Sequence, residues 1–214
     1  MDTLKTKVEI ARAFWALTYV TAVLGAQVLR LVKAGDVGED PNVVRWYLRW
    51  ACRAGLDAPV IRGLAEKIPG LTTGFALCNP AVDAAFGGHT DVIQLLHSMY
   101  GRSAIYIDVQ TMVAAAAWGH NAMIDYLVEE YGVDPKWVGG EGWTALHDAA
   151  GCGRVRTVKH LVEKYSVDIQ EKDGWGKTAL DWAEREGRTE CAAVLRGYGA
   201  VNGQFLDTDS DSSW

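Results

Sequence analysis

The chain has 214 residues, 49% of them apolar and 22% charged, with a formal net charge of −6. This length and balance fit an ordered, soluble protein, either one sizeable domain or an array of about six repeats. Residues 1–75 carry ten Lys/Arg against seven Asp/Glu, and the remainder eleven against twenty. The acidic C-terminal half argues against nucleic-acid binding, because phosphate contacts need Lys and Arg.

Cys52, Cys78, Cys152 and Cys191 lie far apart and form no C-x-x-C pair. That argues against a metal site and a disulfide framework, and predicts reduced thiols in an intracellular protein, cytoplasmic or nuclear. The apolar stretch 13–32 is broken by Thr18, Thr21, Gln27 and Arg30. Neither a signal peptide nor a membrane span is expected from it. Residues 1–40 are predicted to form a helical cap, or a degenerate first unit of the ladder that follows, with Val28-Leu29 and Leu31-Val32 on one face.

From residue 41 on, glycines recur at 55, 88, 119, 153 and 187, with spacings of 33, 31, 34 and 34. Small residues precede each of them, as Ala51-Cys52, Ala84-Ala85, Ala115-Ala116, Ala149-Ala150 and Ala183. A glycine closing a helix, with small side chains just inside it, suits helices that approach closely across a stack. After each glycine comes a run at helical spacing: Val60-Ile61 with Leu64, Val92-Ile93 with Leu95-Leu96, Ile124 with Leu127, Val158 with Leu161, and Val194-Leu195. The ladder predicts an all-α fold of about five to six helix pairs, with five over residues 41–202. Residues 203–214 form a polar, acidic tail.

The segment Gly142-Trp143-Thr144-Ala145-Leu146-His147-Asp148-Ala149-Ala150 resembles the G-x-T-P-L-H-x-A-A opening of an ankyrin repeat, with Ala145 in the proline place. Gly176-Lys177-Thr178-Ala179-Leu180-Asp181-Trp182-Ala183 echoes it 34 residues later. Gly88-His89 and Gly119-His120 resemble the family's G-H step, and Gly132-Val133-Asp134 and Ser166-Val167-Asp168 its G-A-D-V step. The resemblance is densest over 141–202 and weakest over 1–75, which lack any T-P-L-H. It implies an ankyrin-repeat solenoid whose concave surface binds partners.

That resemblance also places the candidate site. Loop tips and the ends of first helices face the groove in this family, which puts Phe86, Trp118, Trp137, Trp143 and Trp175 in one stripe. Exposed tryptophans favour a binding surface. Acidic neighbours Glu141, Asp148 and Asp173 favour a partner with basic as well as apolar residues. The function expected is therefore non-catalytic protein or peptide recognition. Trp46, Trp50 and Trp182 are expected in the core or between repeats. The family's histidine roles imply that His89, His120 and His147 make structural hydrogen bonds rather than bind metal.

Two other readings stand beside this one. A Trp-lined pocket suits a hydrophobic small molecule or an unusual enzyme, although no nucleophile motif or phosphate loop is present and no cofactor is expected. Some ankyrin domains read methylated lysine, which implies a cage of Trp118, Trp143 and Trp175 with Glu141 or Asp148.

Overall fold

Residues 41–68, 79–101, 107–139 and 141–203 are described by the computed structural model. The helical unit expected at 1–40 and the tail from 204 onward lie outside them. The described residues form ten helices and no strand. They come as five pairs: α1 (Pro41–Ala54) with α2 (Ala58–Glu66), α3 (Pro80–Gly87) with α4 (Thr90–Tyr100), α5 (Val109–Trp118) with α6 (Asn121–Tyr131), α7 (Ala145–Gly151) with α8 (Val155–Tyr165), and α9 (Ala179–Arg185) with α10 (Thr189–Gly197). The first helices of the pairs pack in chain order, α1 on α3 on α5 on α7 on α9, and each also packs on its own second helix.

Small residues set this row. Ala51, Ala84, Ala85, Ala115, Ala116, Ala149, Ala150 and Ala183 are fully buried, so the helix backbones approach closely across their methyl groups. The larger apolar residues lie between the two rows, with Ile61, Leu64, Ile93, Leu96, Ile124, Leu127 and Leu161 from the second helices buried against Leu48, Met112, Leu146 and Leu180 from the first. One closure repeats in all five pairs. The residue after the ladder glycine returns its N–H to an alanine carbonyl five positions back: Leu56 to Ala51, His89 to Ala84, His120 to Ala115, Arg154 to Ala149 and Arg188 to Ala183, at 2.7–3.0 Å. This is the Schellman bond, and it needs a left-handed residue between its ends. The five glycines supply it, with φ from +62° to +86°.

The same post-glycine residue also reaches backward with its side chain. His120 Nε2 donates to Phe86 O at 3.0 Å, Arg154 Nε to Ala117 O at 2.8 Å and Arg188 Nε to Gly151 O at 3.1 Å. Each bond satisfies a carbonyl that the end of the preceding first helix leaves open. The helix starts differ along the chain. Thr144 and Thr178 form capping boxes with His147 and Asp181. Of the pairs without a T-P-L-H step, α3 starts on Asn79, which accepts from Ala81 N at 3.0 Å, and α5 on Asp108, which accepts from Thr111 N at 3.3 Å.

Trp46 departs from expectation, being 44% exposed. In α1 the stack-facing residues are Val44, Leu48, Ala51 and Cys52. Trp46 stands two positions beyond Val44, about 200° round the helix, and so points away. Its ring meets only the edge of Tyr47 among the described rings, 5.4 Å between centroids. Trp50 packs half-buried against the core as expected.

On the second-helix row, Asp125 of α6 gathers three donors from α8: His160 Nε2 at 2.7 Å, Lys164 Nζ at 2.9 Å and Tyr165 Oη at 2.6 Å. Partial burial raises its pKa, but the hydrogen bonds from Tyr165, Lys164 and His160 outweigh that and hold the carboxyl below its ordinary value. Burial and the same bond push the Tyr165 hydroxyl up to about 12. A carboxylate with a depressed folded pKa stabilises the fold above its unfolded pKa, and that contribution fades as pH falls through the folded value. Asp125→Asn is thus expected to cost about 1 kcal/mol in urea melts at pH 7, with the gap to wild type closing below about pH 4. A gap that stays constant down to pH 3 would show that the charge has no part in it.

Candidate functional site

Two loops, between α6 and α7 and between α8 and α9, frame the site. In the first, Asp134 Oδ1 accepts from Lys136 N at 2.9 Å, Trp137 N returns to Asp134 O at 3.2 Å, and Gly139 N joins Trp143 O at 2.9 Å. In the second, Asp173 is the organiser. Its Oδ1 accepts from Trp175 N at 3.0 Å and Lys177 N at 2.9 Å, and its Oδ2 from Trp182 Nε1 at 2.7 Å. Asp173 is expected from the sequence to face a partner. The structure instead buries it, because the loop uses both of its oxygens. The tips are tied by Gly174 N to Glu141 O at 2.6 Å. Beside that tie Gly142 has φ +72°, and a Cβ there would stand 2.2 Å from Lys172 O.

The expected stripe of rings divides into two clusters. Phe86 meets Trp118 edge-on at 5.9 Å, with Arg53 over Phe86 at 4.4 Å and Arg154 over Trp118 at 5.7 Å. Trp143 meets Trp182 edge-on at 4.9 Å, and Trp182 meets Trp175 at 6.4 Å. Lys177 and Arg185 lie over Trp182, at 5.4 and 4.9 Å. The three rings named for a cage are thus not brought together: Trp118 is held by Phe86, and Trp182 stands between Trp143 and Trp175. Trp137 and Trp175 are the exposed members, at 38% and 46%. Phe86, Trp118 and Trp143 are half-buried.

Trp143 is held on three sides. Its ring stacks on His147 at 5.4 Å, its edge meets Trp182, and its Nε1–H donates to Asp148. His147 Nδ1 accepts from the Thr144 hydroxyl at 2.8 Å, and its Nε2 donates to Lys177 O at 3.2 Å. Burial pushes the pKa of this imidazole down, which favours the neutral ring these bonds require.

Between the first loop and the helices lies a cleft of about 380 Å³. Trp137, Glu141 and Trp143 line it from the loop side, Gln110 and Val113 from α5, and Asp148 from α7. Burial raises the Asp148 carboxyl to about 6 despite the hydrogen bond from Trp143. No cation pairs with Asp148 or Glu141 among the described residues, and none lies over Trp137 or Trp143. Cys152 is exposed at the end of α7. Partial desolvation, with the charge of Asp148 nearby, pushes its thiol up and away from the reactive thiolate. Among the described residues no group of three or more His, Cys, Asp or Glu is placed to hold a metal ion, and no helix is long and apolar enough to cross a membrane.

Trp182 packs half-buried between Trp143 and Trp175, between repeats as expected, while sequence reasoning did not name Gln110 or Val113, which line the cleft.

Residues 111–204 match the family model for ankyrin repeats, in three copies. That span covers the last three helix pairs. Comparison with curated proteins gives no match.

Proposed function

Because this chain is an ankyrin-repeat protein, we propose that it is a non-catalytic interaction module that binds a protein or peptide partner between its loop tips and first helices. The observation that carries this reading is the pair of exposed indoles, Trp137 and Trp175, on adjacent loops beside an acid-lined cleft. Large aromatic rings left in water on a repeat array's binding side are the usual anchors of partner recognition. The partner would carry apolar residues for Trp137 and Trp175 and basic ones for Glu141 and Asp148. Helices α1–α4 serve as two further repeats in this reading, which is supported by their sharing the Schellman bond and helix-row packing of the matched span.

Trp137 and Trp175 are better probes than Trp143, whose truncation would also undo its contacts with His147, Trp182 and Asp148. Capture from lysate with wild type and with Trp137→Ala/Trp175→Ala is expected to yield a protein lost with the variant. Trp137→Ala alone should weaken that complex by about 2 kcal/mol while leaving the melting temperature within about 2 °C. Equal capture by the folded variant would end this reading. A small molecule co-purifying with wild type alone, without a protein, would move the assignment to a ligand pocket.

A further inference from the structure

Asp148 has a counterpart within the same chain. Asp83 stands five residues before Gly88, as Asp148 stands five before Gly153, and each lies four residues after its helix cap, Asn79 or Thr144. Asp83 is buried, and α1, the preceding first helix, supplies two guanidinium groups to it: Arg49 Nε at 2.7 Å and Arg53 Nη2 at 2.9 Å. Arg49 and Arg53 stand six and two residues before Gly55. The residues six and two before Gly119, on the helix that precedes Asp148, are Val113 and Ala117. At the second site the arginines are therefore missing. Val113 lines a cleft where the first site has a guanidinium.

The surroundings agree with that comparison. Phe86, Trp118 and Trp182 each carry a Lys or Arg of this chain over the ring. Trp137 and Trp143, which wall the cleft, carry none among the described residues. Glu141 adds a second carboxylate at the cleft's edge. A planar guanidinium can lie on an indole face while its N–H groups meet a carboxylate, which an ammonium does less well.

We infer that the cleft between Trp137, Trp143 and Asp148 receives an arginine side chain of the partner, which takes the place that Arg49 and Arg53 hold at Asp83. The inference rests on the interaction reading above and narrows it to one anchoring residue. The raised pKa of Asp148 accords with a carboxylate that lacks its cation in the free protein.

The test uses the full chain and a capped Gly-Arg-Gly peptide, with the neutral citrulline peptide as its isosteric control. The reporter is the Trp143 indole N–H resonance, because that group donates to Asp148. The arginine peptide is expected to shift it saturably, the citrulline peptide not at all, and a Gly-Lys-Gly peptide more weakly. Asp148→Asn, which keeps an acceptor for the Trp143 indole, should weaken arginine binding about tenfold. Val113→Arg, which restores the arrangement around Asp83, should fill the cleft in cis and abolish the response. Equal response to citrulline, or full binding by either folded variant, overturns the inference. If a partner is still captured through Trp137 but no arginine response appears, the arginine assignment fails and the interaction reading stands. Loss of both would remove both.

Discussion

Gly142→Ala is expected to destabilise the fold by about 3 kcal/mol. Two costs add at this position. The backbone has φ +72°, where an L side chain carries about 1 kcal/mol of strain. The new Cβ would also stand 2.2 Å from Lys172 O and 2.8 Å from Asp173 Cα. Those are backbone atoms, so relief requires the two loop tips to move apart, at about 1–3 kcal/mol for a crowded site. Gly187→Ala is the control. Its φ is +68°, but a Cβ there meets nothing within 4 Å, so only the strain applies, about 1 kcal/mol. Urea melts of both variants separate the terms. Equal losses would mean that the contact between loop tips has no weight. The expected difference would show that the Glu141–Gly174 tie is a firm joint, and that the cleft beside it is held in shape before any partner arrives.

Asp148→Asn should do the reverse and raise stability by about 2 kcal/mol at pH 7.5, or about 6 °C in melting temperature. The folded carboxyl has a pKa of about 6 against an ordinary value of 3.8, so between those values the native state holds a proton that the unfolded chain has released. Stability therefore falls as pH rises from about 4 through about 6, and the full cost is present above it. Asparagine carries no charge and still accepts from the Trp143 indole. The gain should shrink as pH falls from about 6 through about 4 and vanish below about pH 3, where aspartate is protonated in both states. A loss of stability at pH 7.5 would instead make the carboxylate a structural acceptor for Trp143. The expected gain would mean that Asp148 weakens the free protein, as a carboxylate at the proposed binding cleft is expected to do.

The helix ladder could be read from the sequence because its causes are local. A left-handed closure needs glycine, close helix rows need alanine, and a buried second helix needs apolar residues at its own period. Trp46 was misplaced because its size suggested the core, while the period of Val44, Leu48 and Ala51 put it on the far side. The single stripe of rings expected from spacing divides into two clusters, because which indole finds which ring depends on packing that spacing does not encode; Trp182 stands between Trp143 and Trp175. Asp173 was read as a free acid because nothing local shows that the Trp175 and Lys177 amides and the Trp182 indole converge on it. The role of Arg154 and Arg188 was also missed. The G-H step names histidine, whereas the position only requires an N–H donor long enough to reach the preceding helix.

That backward reach gives the stack a polarity. His120, Arg154 and Arg188 each close a carbonyl in the unit before their own. The ends of α3, α5 and α7 thus depend on a later unit to finish them, while among the described residues no first-helix end takes this donor from an earlier unit. Fraying that begins in a late unit leaves an open carbonyl behind it and invites the next loss. Fraying that begins in an early unit strands only a side chain that can turn to water. Melting should therefore travel along the array more readily in one direction than in the other, as a zip opens from its slider.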